Sequence, residues 1–177
     1  MSVFPRSTVY ILTFSIAATY SCGLTEPTRD GSPFQTDTTT YSIAQQPGEI
    51  SVQMRVNYVN PSSQSTYLHR ACGYGDEPAR QLVRADAPET LVELGIQWCQ
   101  TEVLRLPIEV PAGATYVDEF SLRAFGLATE DIAQENEGVF RLMYFVQTQN
   151  VVDGWNAVSL VPEVDRLSNE FQLIAIR

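Results

Sequence analysis

The sequence predicts an all-β protein, an antiparallel β-sandwich of about seven to nine strands, and three observations point there. Apolar residues recur with a period of two in segment after segment. Pro, Gly, Asn and Asp turns separate those segments at short intervals. No window shows a helical period with enough apolar residues to dock a helix.

Taken in chain order, residues 1–21 read as an export signal. One arginine, Arg6, and the amino terminus precede the apolar run Val9–Ala18. That run is too short for a bilayer, which needs roughly 20 apolar residues, and suits the apolar core of a secretory signal peptide. Residues 22–40 follow, rich in Thr, Pro, Gly, Ser and Asp and without apolar periodicity. They are expected to form a flexible tether spanning on the order of 20–25 Å. The folded domain is expected over residues 41–177.

Within it, "EISVQMRVNYV" alternates Ile50, Val52, Met54, Val56 and Tyr58 with Ser51, Gln53, Arg55 and Asn57. This predicts a strand with one buried face. "NPSSQ" then turns the chain. Further strands are expected in "STYLHRAC", in "RQLVR", and in "TLVELGIQW" with Val92, Leu94, Ile96 and Trp98 in step. "EVLRLPIEV" puts Leu104, Leu106, Ile108 and Val110 in phase, with Pro107 indicating an edge or bulge. After "PAGAT", Tyr116, Asp118, Phe120 and Leu122 share a face. Phe140, Leu142, Tyr144 and Val146 form the next, and Phe171, Leu173 and Ala175 the last. "LATEDIAQENEG" is long enough for one helical turn but has too few apolar residues to dock one.

Composition excludes several functions. Net charge is −10, and all 11 basic residues are arginine. An acidic chain without a basic cluster does not suit nucleic acid or an anionic membrane surface. The absence of lysine excludes Schiff-base chemistry and a P-loop. One histidine, His69, excludes a multi-imidazole metal site. No Gly-x-Ser-x-Gly elbow accompanies His69, so no catalytic residue is assigned. The acidic pairs Asp76-Glu77, Asp118-Glu119 and Glu130-Asp131 lack the spacing of a calcium loop. On a strand, adjacent acids point to opposite faces. They read as solvated acids, and no metal or cofactor is expected.

Thr19, the bulky Tyr20 and Ser21 precede Cys22, and Gly23 follows it. This resembles the lipobox of bacterial lipoproteins, in which the cysteine becomes the first mature residue and is acylated; Ser21 is the residue in its usual place. The resemblance implies a membrane anchor through lipid on Cys22. Gly23, in place of an aspartate that retains lipoproteins at the inner membrane, favours the outer membrane of a diderm host. With Cys22 lipidated, Cys72 and Cys99 remain as a pair in an oxidising compartment. Their disulfide would close a loop of about 28 residues, for roughly 3–4 kcal/mol of loop-closure entropy. Two reduced thiols in a cytosolic protein is the alternative.

The segments "ISVQMRVNYVNPSS", "IEVPAGATYVDEFSL", "EGVFRLMYFV" and "LSNEFQL" resemble a bacterial immunoglobulin-like sandwich. Such domains occur in exported lipoproteins and in small proteins grouped with bacterial proteinase inhibitors. Gly138, Arg141 and Leu142 fall on the late-strand pattern, with Phe140 where tyrosine is usual. The resemblance implies a fold, and a fold does not fix a function. Tyr74 in "GYGDEP" and Trp155 in "NVVDGWNAV" lie in segments that read as loops. Aromatic loop residues anchor protein partners and stack on sugars. The expected function is therefore a non-enzymatic, membrane-anchored lipoprotein whose Ig-like domain binds a protein or glycan. The alternative is a secreted proteinase inhibitor acting through the loop near Cys72.

Overall fold

The strictest alternation in the sequence becomes the longest strand. Ten strands and one helix are present in the computed structural model, which describes residues 31–71, 76–90, 92, 94–95, 106–126, 129–151 and 160–176. In order they are β1 (Phe34–Thr36), β2 (Thr40–Gln46), β3 (Glu49–Val59), β4 (Thr66–Leu68) and β5 (Arg80–Arg84). Then come β6 (Ile108–Val110), β7 (Thr115–Phe125), α1 (Thr129–Glu135), β8 (Gly138–Tyr144), β9 (Val146–Gln147) and β10 (Phe171–Ala175).

β3 and β7 pair antiparallel along their whole length, from Glu49 opposite Phe125 to Val59 opposite Thr115. The other edge of β3 takes β2 at one end and β1 at the other. A second sheet runs β2–β10–β8–β5, facing the first across the core. β2 belongs to both: Ala44–Gln46 pair with β3, while Thr40–Ile43 pair with β10. A strand that changes sheets makes the corner of a sandwich. The fold is thus the all-β sandwich the periodicity predicts, with one departure, since β2 and β10 run parallel. A period of two reports which face is buried and carries nothing about pairing direction.

The inward faces meet in one apolar core. Ile50, Val52, Met54, Val56 and Tyr58 of β3 are all buried, as are Phe140, Leu142 and Tyr144 of β8. Phe34 stacks between Tyr58 and Tyr144, with ring centroids 4.3 Å from each. Each such side chain contributes roughly 1.5–3 kcal/mol through burial.

Four expectations change. The folded domain begins before residue 41: β1, inside the expected tether, is held by the buried ring of Phe34 and by pairing with β3. Val92 and Leu94 are buried but outside any strand. Leu94–Gly95 form a turn whose Gly95 N–H donates to Arg123 O at 3.0 Å. Gly95 has φ +80°, and a Cβ there would collide with Leu122, so only glycine fits. Leu106 falls out of phase and is 63 % exposed, because β6 starts only after Pro107. Finally, α1 does dock. Ala133 is fully buried and Ile132 packs against the core, so one small residue suffices where β2, β3 and β10 leave a shallow seat.

Candidate functional site

β4 and β5 lie along the same neighbour. Leu68 sits opposite Val146 of β9, and Arg80 opposite Tyr144 of β8. Between them His69 N–H donates to Phe145 O at 2.9 Å, and Phe145 N–H donates to Ala79 O at 3.3 Å. Both strands thus meet at Phe145, and residues 70–78 between them are described only over 70–71 and 76–78.

The ends of this stretch, the 70–78 excursion, are braced. Ala79 N–H donates to His69 O at 2.7 Å, and Ala71 N–H to Glu77 O at 2.8 Å. Arg70 forms an isolated bridge with Pro78, and its Nη1 reaches Asp76 Oδ1 at 2.8 Å. Arg70 Nε donates to Leu106 O at 2.8 Å. Pro78 has no amide to give the ladder, which favours resumption of pairing at Ala79. Excursions of this kind, with joined ends, are a common way for a rigid sheet to present a recognition element.

Arg80 roots the brace in the core. Its Nη2 donates to Glu77 Oε2 at 2.8 Å and its Nη1 to Asp118 Oδ2 at 3.1 Å. Asp118 lies on β7, in the opposite sheet, and also accepts from Tyr144 Oη at 2.9 Å. The guanidinium stacks 3.5 Å from the Phe120 ring centroid. The side chains of Arg80 and Asp118 are 4 % and 5 % exposed, whereas that of Glu77 is 56 % exposed. Burial lifts the Asp118 carboxyl above the usual carboxylate range, against the pull of Arg80 and the Tyr144 hydroxyl. Burial also pushes Tyr144 well up, reinforced by the neighbouring Asp118 charge.

The second segment that reads as a loop is also fastened at its base. Gln147, fully buried on β9, donates from Nε2 to Val151 O at 2.9 Å and forms a backbone bridge with Leu160. Val161 N–H donates to Val146 O at 3.0 Å. Val151 and Leu160, the described residues on either side of 152–159, thus both meet Gln147, and His69 and Ala79, which flank the stretch containing 72–75, both meet Phe145. Phe145 and Gln147 are two residues apart, about 7 Å in extended chain.

Cys22, Cys72, Tyr74, Cys99 and Trp155 themselves lie outside the described residues. What the structure joins is the roots of the two segments. His69 serves at one root through its backbone. Arg80, Glu77, Asp118 and Gln147 were not singled out as site residues by the sequence. The available signal was Asp118, an acid in phase with Phe120 and Leu122 on an inward face. Of the pair Asp118-Glu119, only Glu119 is solvated, where it meets Arg55 at 3.5 Å. Asp118 points inward.

A cleft of about 420 Å³ lies on the outer face of β5 and β8, lined by Gln81, Val83, Arg141, Met143, Glu163 and Leu167. Arg141 is already engaged with Ser168 O at 3.1 Å and Glu170 Oε1 at 3.0 Å. Among the described residues no three His, Cys, Asp or Glu side chains gather to hold a metal ion, and no helix is long and apolar enough to cross a membrane. No family model, curated protein or solved structure matches the chain.

Proposed function

We propose that this chain is a non-enzymatic lipoprotein of the cell envelope. In this reading an Ig-like sandwich, anchored through lipid on Cys22, presents the 70–78 excursion and the segment after Gln147 to a protein or glycan. The observation that carries it is the common root of the two segments at Phe145 and Gln147. Two aromatic-bearing segments on one strand supply paired anchors for one partner, and braced ends lower the ordering cost of binding. The Ig-like character is supported by a β2 that joins both sheets and runs parallel to β10. A disulfide between Cys72 and Cys99 accords with Arg70 and Leu106 meeting at 2.8 Å, which draws the flanks of the two cysteine segments together.

The full chain, expressed with its own N-terminus in a bacterium, tests the anchor by intact mass. The expected species starts at Cys22 and carries a diacylglycerol and a fatty acyl group, both lost in Cys22→Ala. A bare Cys22 or an uncleaved chain refutes the anchor. A glycan array and a panel of envelope proteins test recognition: binding is expected that falls in both Tyr74→Ser and Trp155→Ser. Binding indifferent to both substitutions refutes the shared site.

A second reading is favoured by the bracing alone. A protease-inhibitor loop must enter a cleft already ordered, and the 70–78 ends are held in the free chain. Stoichiometric inhibition of a secreted protease, lost on deleting Tyr74 and Gly75, selects this reading.

A further inference from the structure

We infer that the outer edge of β7, over residues 117–121, is a docking site for an extended segment of a partner protein, which adds to the sheet as an antiparallel strand and carries a basic residue followed two positions later by an aliphatic one. The site lies apart from the segments proposed above to meet a protein or glycan, and its test does not involve them.

The edge follows from the ladder. Asn60 N–H donates to Ala114 O at 3.0 Å, and Gly126 N–H donates to Gly48 O at 3.1 Å. Between those two bonds the register of β3 and β7 runs without a bulge. Every second residue of an antiparallel strand bonds the same neighbour, so Tyr116, Asp118, Phe120, Leu122 and Ala124 turn their backbone groups to β3. The N–H and C=O groups of Val117, Glu119 and Ser121 point the other way. Among the described residues β7 pairs with β3 alone, and on its outer edge only Arg123 O is met, by Gly95 N–H at 3.0 Å. The turn at Gly95 closes the edge at Arg123, and the stretch before it stays unpaired among the described residues. A row of unpaired donors and acceptors on an edge strand is a template for one more strand.

The side chains beside this edge specify the occupant. Val117 is 41 % exposed, and the exposed Val59 stands diagonally across the ladder from it, so an aliphatic side chain of the added strand finds apolar surface there. The Glu119 side chain is 67 % exposed and meets Arg55 at 3.5 Å, a surface pair weak enough to accept a second cation. Arg80 joins Glu77 to Asp118, which brings a further exposed carboxylate close to the same stretch. Because the added strand runs against β7, its residue opposite Glu119 comes two positions before the one opposite Val117. A net charge of −10 favours a basic partner and opposes a second copy of the chain. Two copies of β7 centred on Asp118 or on Glu119 would also set like carboxylates opposite each other.

Amide exchange of the full chain tests the open edge without any ligand. Val117, Glu119 and Ser121 should exchange about a hundredfold faster than Tyr116, Asp118 and Phe120. Equal protection along β7 overturns the open edge. A random short-peptide library displayed on phage is the probe for the occupant. Selected peptides are expected to share a Lys or Arg two positions before a Val, Ile or Leu, and to slow exchange at Val117, Glu119 and Ser121. Glu119→Pro removes an N–H from the open edge and spares every bond to β3, a change that edge strands accept, and it should abolish binding. Glu119→Arg keeps the backbone and should weaken the same peptides about tenfold. No binder at this edge, binders without that spacing, or binding unchanged in both variants overturns the docking site. Sedimentation of the free chain covers the other occupant: a dimer that Glu119→Pro dissolves would give the edge to a second copy and overturn the partner assignment.

Discussion

β3 and β7 share an unbroken register from Glu49 opposite Phe125 to Val59 opposite Thr115, whereas β4 and β5 are two separate short strands that pair with β9 and β8 in turn. On the far side of β8 and β9 the chain breaks again. Val161 N–H bonds Val146 O, Tyr144 N–H bonds Arg166 O, and residues 162–165 step out between. Phe145 is flanked by a departure on each side. A continuous ladder with a continuous buried face supplies stability, and in the proposed reading the departures from a ladder, fastened where they leave, supply surface for recognition.

Substitutions should fall into the same two groups. The largest effect is expected at Asp118, which ties the continuous sheet to the broken one. Asp118→Ala strands Arg80 in the core and should cost about 3–5 kcal/mol in urea unfolding. Restoring most of that with Arg80→Met in the same chain would confirm that the stranded cation is the cause. Leu122→Ala, within the continuous register, should cost about 2–5 kcal/mol, the lower value if the site collapses.

Asn60 comes next. It is buried at the turn after β3, and its Nδ2 donates to Gln64 O at 2.8 Å and Val110 O at 2.9 Å. Asn60→Ala leaves those carbonyls unmet and should cost about 1–3 kcal/mol by the same measurement. The smallest effect belongs to the excursion itself. Asp76, whose side chain is 90 % exposed, pairs with Arg70 at the surface, and Asp76→Asn should move global stability by less than about 0.5 kcal/mol. A large global loss there would erase the distinction between the two regions.

How far the sequence was readable follows the same division. β3, β7, β8 and β10 stand where the alternation puts them, because a half-buried strand writes its burial into its own residues. β1 is only three residues long, and its burial depends on Tyr58 and Tyr144, which are remote in sequence. The docking of α1 rests on Ala133, a residue too small to register in an apolar count. Leu106 looked in phase because alternation cannot see that Pro107 delays the start of β6. The common root at Phe145 and Gln147 was beyond sequence pattern altogether. It arises because two separate stretches pair with one strand, and pairing is not a local property. Asp118 was readable in part: its phase placed it inward, but only the structure supplies the Arg80 that makes an inward acid tolerable.

Native-state hydrogen exchange across the full chain tests the division most directly. Amides of β3 and β7 should exchange only through global unfolding, with a steep denaturant dependence. Those of Ala71 and Ala79, bonded to Glu77 O and His69 O, should exchange through a local opening that depends weakly on denaturant. One common opening energy for all of them, with one denaturant slope, would mean that the excursion and the continuous sheet are a single cooperative unit, and would contradict the separation of stability from recognition argued from their geometry.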